Sequence, residues 1–130
     1  MTIPEQVVRA IYAAHDAGDT DRVLALLGTD VVVRTYLAPG RVLRGDEEVR
    51  AALEQARDSI YAPHVERYET LECGCVLGFG SVRYAIEEGG FVHHRAVWLC
   101  ELEDGVVVSW TAFRDAVDAY QAHDCAHEPG

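Results

Sequence analysis

The stretch VVRAIYAAHDAGDTDRVLALLGTDVVVR, residues 7–34, followed after a loop by LRGDEEVRAAL, residues 43–53, decides the fold. It reads as helix, tight break, helix, strand, loop, helix. The break is Ala17-Gly18-Asp19. Gly18 can take the left-handed conformation that closes a helix, and Asp19 or Thr20 offers an oxygen to cap the next one. Helices therefore come first and leave no room for a parallel α/β sheet. The rest of the chain must then form an antiparallel sheet wrapped around them, a cone with a cavity.

The first helix is predicted from Pro4 to Ala17, with Thr2 and Glu5 spaced as a capping box. Val7 or Val8, Ile11, Ala14 and His15 fall on one face. The second helix runs from Thr20 to Leu27, with Gly28 as its stop. Val31 to Tyr36 is a strand by its β-branched content, and Ala38-Pro39-Gly40 turns the chain. Asp46 caps a third helix whose apolar face is Val49, Ala52, Leu53 and Ala56.

From Pro63 onward the apolar period becomes two. His64–Glu72, Cys75–Glu87, Phe91–Glu103 and Val106–Arg114 read as four long strands. Gly89-Gly90 and Asp104-Gly105 signal tight hairpins, and Glu72-Cys73-Gly74 a third turn. A short helix from Ala116 to His123 closes the chain. The fold class is α+β: one domain over residues 1–123, with a loose tail over 124–130.

Composition narrows the partners. Hydrophobic residues make up 49% of the 130, which is a globular composition. The net charge is −11, and all eleven basic residues are arginine. Such a chain does not neutralise phosphates, so neither nucleic acid nor an anionic membrane is an expected partner. The start MTIPEQ is not a basic region before an apolar run, and no segment reaches the roughly 18 apolar residues of a membrane span. The expectation is a cytoplasmic protein.

The four cysteines are Cys73, Cys75, Cys100 and Cys125. Cys73-Gly74-Cys75 is closer than the usual C-x-x-C spacing, so reduced thiols are expected and no metal is assigned. His123-Asp124-Cys125-Ala126-His127 lacks a second ligand cluster of matching spacing.

The layout resembles the NTF2-like superfamily in its SnoaL-like or ketosteroid-isomerase-like branch. The residues that carry the resemblance are Ala13-Ala-His-Asp-Ala-Gly18-Asp19, Leu26-Leu27 before Asp30-Val-Val-Val33, and Arg44-Gly45-Asp46-Glu-Glu-Val49. Near the end, Val97-Trp98, Glu103-Asp-Gly105-Val-Val107 and Arg114-Asp115-Ala-Val-Asp-Ala119 complete the set. The resemblance implies a cone whose N-terminal helices pack in the concave face of a curved, mainly antiparallel sheet.

It implies less about chemistry, since one fold hosts many functions. Ketosteroid isomerases use a Tyr on the first helix, an Asp near the end of the first strand and an Asp on the penultimate strand. Alignment on Ala17-Gly18-Asp19 places these positions on Ile11, Thr35 and Trp98, so that mechanism is not expected. The Arg and paired-Asp set of limonene-type epoxide hydrolases is not matched either. The remaining expectation is cofactor-free proton transfer, as in a cyclase such as a polyketide cyclase, an isomerase or a dehydratase, on a small apolar carbonyl metabolite. The alternative is a non-catalytic protein that binds a small ligand or serves as a dimeric scaffold.

Strand alternation nominates the residues lining the cavity. A two-residue Gly89-Gly90 turn would pair Glu88 with Phe91 and put Phe79, Ser81 and Arg83 beside His94 and Trp98. Trp110 and Arg114 come from the last strand, Thr35 from the first, and Ile11 and His15 from helix 1. Ile11, Thr35, Phe79, Trp98, Trp110 and Arg114 are the candidate binding residues. His94 is the leading acid/base, because imidazole titrates near pH ~6.5. His15 and Asp115 stand second, Asp115 by resemblance to SnoaL-like cyclases. Arg83 or Arg114 would hold a carboxylate or steady an enolate. Each has a plainer reading: a satisfied or strand-start histidine, a helix cap at Asp115, a surface ion pair for each arginine. Tyr12, Tyr36 and Tyr84 fall on the opposite phase. The outer sheet face, with Val82, Tyr84, Ile86, Val97 and Leu99, has no helix left to cover it, which predicts a homodimer through that face.

Overall fold

A computed structural model describes residues 3–34, 42–58, 62–85 and 89–126. Three helices precede or interrupt the first strands: α1 (Ile3–Asp16), α2 (Thr20–Ala25) and, after β1 (Leu27–Arg34) and β2 (Val42–Arg44), α3 (Gly45–Asp58). Then come β3 (Ala62–Thr70), β4 (Val76–Ala85), β5 (Phe91–Glu103), β6 (Val106–Phe113) and α4 (Ala116–Ala126). The strands form one sheet of order β2-β1-β6-β5-β4-β3. The sheet is curved and mixed: β1 runs parallel to β6 and every other pairing is antiparallel.

The helical break forms as its residues dictate. Gly18 adopts φ +74°, and the Asp19 carboxylate accepts from the Arg22 N–H at 3.1 Å. Helix 2 ends two residues sooner than expected, and Gly28 lies inside β1. A Cβ there would stand 3.4 Å from Val108 Cγ1, an ordinary contact, so the strand does not require glycine at this position. Helix 3 starts on Gly45 at φ +82°, and its first turn is tied by the Arg44 N–H donating to Glu48 Oε1 at 3.1 Å. Strand β2 is an addition to the expected elements, only three residues long and formed by pairing with β1.

Helices α1 to α3 lie in the concave face. Val8, Ile11, Tyr12 and Ala14 of α1 join Val23, Leu27, Val31, Leu43 and Val49, and from the sheet Val76, Val82, Ala96, Trp98, Cys100, Val107 and Trp110. Burying each large apolar side chain contributes about 1.5–3 kcal/mol.

The expectation of a bare outer face does not hold. Helix α4 lies on it, and Ala119 is buried with Cys75, Leu77, Val97 and Leu99. Tyr120 reaches back to donate to Glu69 Oε2 at 2.6 Å. That face therefore does not need a second copy of the chain to cover it. Val82 belongs to the concave core, not the outer face. Ile86 and Tyr36 lie outside the described residues, as do the Ala38-Pro39-Gly40 turn and the tail from residue 127.

Candidate functional site

The register of β4 against β5 decides which side chains share the concave face. Ala85 pairs with Phe91, not Glu88 with Phe91. The observed partner lies three residues earlier, and an odd shift turns every β4 side chain over. Gly78 then faces Trp98, and Val82 faces His94. Phe79 and Arg83 project from the outer face. Phe79 packs in the layer beneath α4, with the Arg67 guanidinium 3.9 Å above its ring. Arg83 is exposed, its guanidinium 4.5 Å from the Phe91 ring. Neither reaches the concave side, so both expectations are corrected.

The same turn of strand brings glycine to the concave side at positions 78 and 80. Gly80 pairs with Val65 just before a register shift in β3. A Cβ at Gly80 would collide with the backbone oxygen of His64, so no larger residue fits this close approach. Gly78 lies opposite both Tyr68 and Trp98, and a Cβ there would stand 3.1 Å from Val65 Cγ1, so the Val65 side chain already crowds this position.

Tyr12 projects from α1 onto this face. Its ring stands 5.5 Å from Trp110 at 84° and 5.7 Å from Trp98 at 62°, both edge-to-face. Tyr68 lies 6.2 Å away at 58°. Such pairs contribute about 0.5–1.5 kcal/mol beyond simple burial. Trp110 Nε1 donates to the Tyr12 hydroxyl oxygen at 3.0 Å. Tyr12 is 6% exposed, Trp98 4% and Trp110 8%, so the rings close on one another. Tyr12 thus points inward, contrary to its expected phase. The sequence carries a signal for this: Val8, Ile11, Tyr12 and His15 are spaced as one helical stripe.

At the edge of this cluster Arg9 stacks 4.3 Å from the Tyr68 ring centre and donates from Nε to Glu5 Oε2 at 2.9 Å. Burial pushes the Tyr68 phenol up from its ordinary range, and the Arg9 charge opposes this. Cys100 shares the concave face, fully enclosed, and burial pushes its thiol up. No charged side chain among the described residues is buried.

The remaining candidates sit at the margins. Ile11 is core, at 1% exposure. His15 is half-buried, one turn beyond Ile11. His94 carries the concave phase of β5 but is exposed near the strand start. Asp115 is exposed, and its Oδ1 accepts from the Asp118 N–H at 2.9 Å, a helix cap. Arg114 is exposed beside it. Thr35 lies outside the described residues. Among the described residues no group of three or more His, Cys, Asp or Glu is placed to hold a metal ion. Nor is any described helix long and apolar enough to cross a membrane.

No protein-family model matches the chain, and no curated protein matches it by sequence. Solved structures do. An NTF2-like protein of unknown function from Burkholderia pseudomallei K96243 superposes with a TM-score of 0.77 at 21% identity, over 93% of this chain and 97% of that one. RV0760c from Mycobacterium tuberculosis, solved in complex with estradiol-17beta-hemisuccinate, gives 0.76 at 14% identity, over 90% and 97%. The epoxide hydrolase/cyclase-like enzyme SalBIII, which has a role in pyran ring formation in the polyether salinomycin, gives 0.75 at 14%, over 88% and 92%. The chain has the NTF2-like cone fold.

Proposed function

We propose that this chain is a SnoaL-like small-molecule protein whose concave aromatic face takes an uncharged, largely apolar carbonyl compound. One observation carries the reading. Tyr12, Trp98, Trp110 and Tyr68 form one contiguous aromatic cluster, and no charged side chain is buried among the described residues. Such a surface favours flat apolar molecules and disfavours ions. The estradiol skeleton of the hemisuccinate bound to one protein of the same fold, and the role of another in pyran ring formation, support the flat apolar part of this ligand class.

As an enzyme the protein works by cofactor-free proton transfer. The Tyr12 oxygen accepts from Trp110, which polarises the hydroxyl and strengthens it as a donor. That donor holds the ligand's carbonyl oxygen and steadies the charge that develops when the neighbouring carbon loses a proton. His94 and His15 are the proton carriers, one at the concave end of β5 and one on the Tyr12 stripe of α1. Cyclisation, isomerisation and dehydration all share this step.

A specific observation favours a second reading, a non-catalytic carrier. The Asp115 carboxylate, one of the expected proton carriers, is exposed and engaged as a helix cap.

Both tryptophans of the chain lie in this cluster, so intrinsic fluorescence reports on the site directly. A neutral polycyclic ketone should quench it, and Tyr12→Phe should weaken the quenching. Deuterium exchange at the ketone's α-carbon then separates the readings: exchange lost in Tyr12→Phe and His94→Ala marks the enzyme, binding without exchange the carrier. Failure of every neutral ketone to quench would overturn both.

A further inference from the structure

Outside the concave face, one pair of nucleophilic side chains is built into the β3–β4 turn. We infer that Cys73 and Cys75 are a hydroperoxide-responsive dithiol that closes reversibly to an intramolecular disulfide.

The turn holds the two thiols together. The Leu71 N–H donates to the Cys75 carbonyl at 2.8 Å, and the Gly74 N–H donates to the Leu71 carbonyl at 2.9 Å. Gly74 sits between them at φ +93° with nothing within 4 Å of a built Cβ, so the backbone has room to adjust. The Cys73 and Cys75 side chains are hydrogen-bonded to each other. Their exposures differ. Cys73 is exposed, whereas Cys75 is 2% exposed in the layer under α4.

That asymmetry assigns the roles. Cys73 meets a dissolved oxidant, and Cys75 is shielded from everything except its neighbour. The Cys73 thiolate sulfur attacks one oxygen of hydrogen peroxide, the O–O bond breaks, and water leaves once hydroxide takes up a proton. Cys73 becomes a sulfenic acid. The Cys75 sulfur then attacks the Cys73 sulfur, the S–O bond breaks, and a second water leaves carrying the Cys75 proton. Two thiols are oxidised and one peroxide is reduced to two waters. Burial, the hydrogen bond and charge of Cys73 and then the Glu101 carboxylate disfavour a Cys75 thiolate, so Cys75 enters the closure as a thiol. A bridge across a single residue is strained, so small thiols reopen it. Cys100 is not a competing partner, because it lies in the concave core while Cys75 lies in the outer one.

The test uses the full chain treated with hydrogen peroxide, unfolded, and alkylated. With no lysine present and arginines at 67 and 83, trypsin releases both cysteines on one peptide, residues 68–83. The expected product is that peptide, unalkylated and lighter by two hydrogens, restored by dithiothreitol. Cys73→Ser should abolish it and leave Cys75 alkylated. A Cys100→Ser, Cys125→Ser double variant should still form it. Sulfinic acid at Cys73 with Cys75 still alkylated, disulfide-linked dimers, or a bridge to Cys100 would each overturn the inference.

Discussion

Trp110 Nε1 donates to the Tyr12 hydroxyl oxygen across 3.0 Å, joining the first helix to the last strand over 98 positions of sequence. Both groups are withdrawn from water, so removing the acceptor leaves an indole N–H buried without its partner. Tyr12→Phe should cost about 1–3 kcal/mol. Urea denaturation followed by tryptophan emission measures this. A Tyr12→Phe, Trp110→Phe pair should cost less than the sum of the two single changes.

Trp98 stands at the position where the family resemblance places an isomerase carboxylate, and it is 4% exposed. Trp98→Ala should cost about 3–5 kcal/mol through the void it leaves beside Tyr12. Trp98→Asp should be worse at neutral pH, since the carboxylate would face aromatic rings in a core with no buried charge among the described residues. Thermal melts by circular dichroism at pH 5 and pH 8 distinguish the two: only the aspartate variant should gain stability on acidification.

Glycine 80 is set by the backbone crossing it. Gly80→Ala drives a methyl into the His64 carbonyl and should prevent recovery of folded protein. Gly74→Ala meets open space and only an unfavourable φ, so it should cost about 1 kcal/mol. Equal losses in the two variants would contradict the β3–β4 register.

Tyr120 ties α4 to the sheet through Glu69, and that bond to a carboxylate raises the phenol above its ordinary value. The neutral phenol is the form the fold prefers. Its contribution is therefore complete below the ordinary tyrosine value of about 10 and lost as pH rises through the higher folded value. Tyr120→Phe should flatten the alkaline fall in melting temperature. At lower pH it should cost about 0.5–1 kcal/mol, the bond being partly screened by solvent.

Helix α4 covers the outer-face residues Leu77, Val97 and Leu99. Ending the chain before Ala116 should uncover them and produce association at micromolar concentration, visible by light scattering. A full-length chain that already dimerises without releasing α4 would place its interface elsewhere.

The order of helices and strands is legible because it rests on local signals. Gly18 and Asp19 behave as their chemistry requires, and Trp98 and Trp110 alternate with the strand as expected. The phase of β4 is not local. It depends on how many residues separate Ala85 from Phe91, and the Gly89-Gly90 pair by itself has the form of a complete turn. Gly78-Phe79-Gly80 holds the missing clue: glycines alternate toward the face where rings from neighbouring strands must meet. For Tyr12, alignment and the helical stripe disagree, and the stripe is right. The cover provided by α4 is hidden for another reason. A short segment with few large apolar residues does not announce which face it will occupy.

The parallel pairing of β1 with β6 sets a schedule for synthesis. Leu27 and Val33 find their sheet partners at Val107 and Trp110. An emerging chain therefore exposes the apolar faces of its helices until nearly all of it has left the ribosome. Chains stopped before β6 lack the Trp110 ring beside Tyr12 and the Val107 partner of Leu27, so their concave core stays open on one side and they are the fragments chaperones and proteases must intercept.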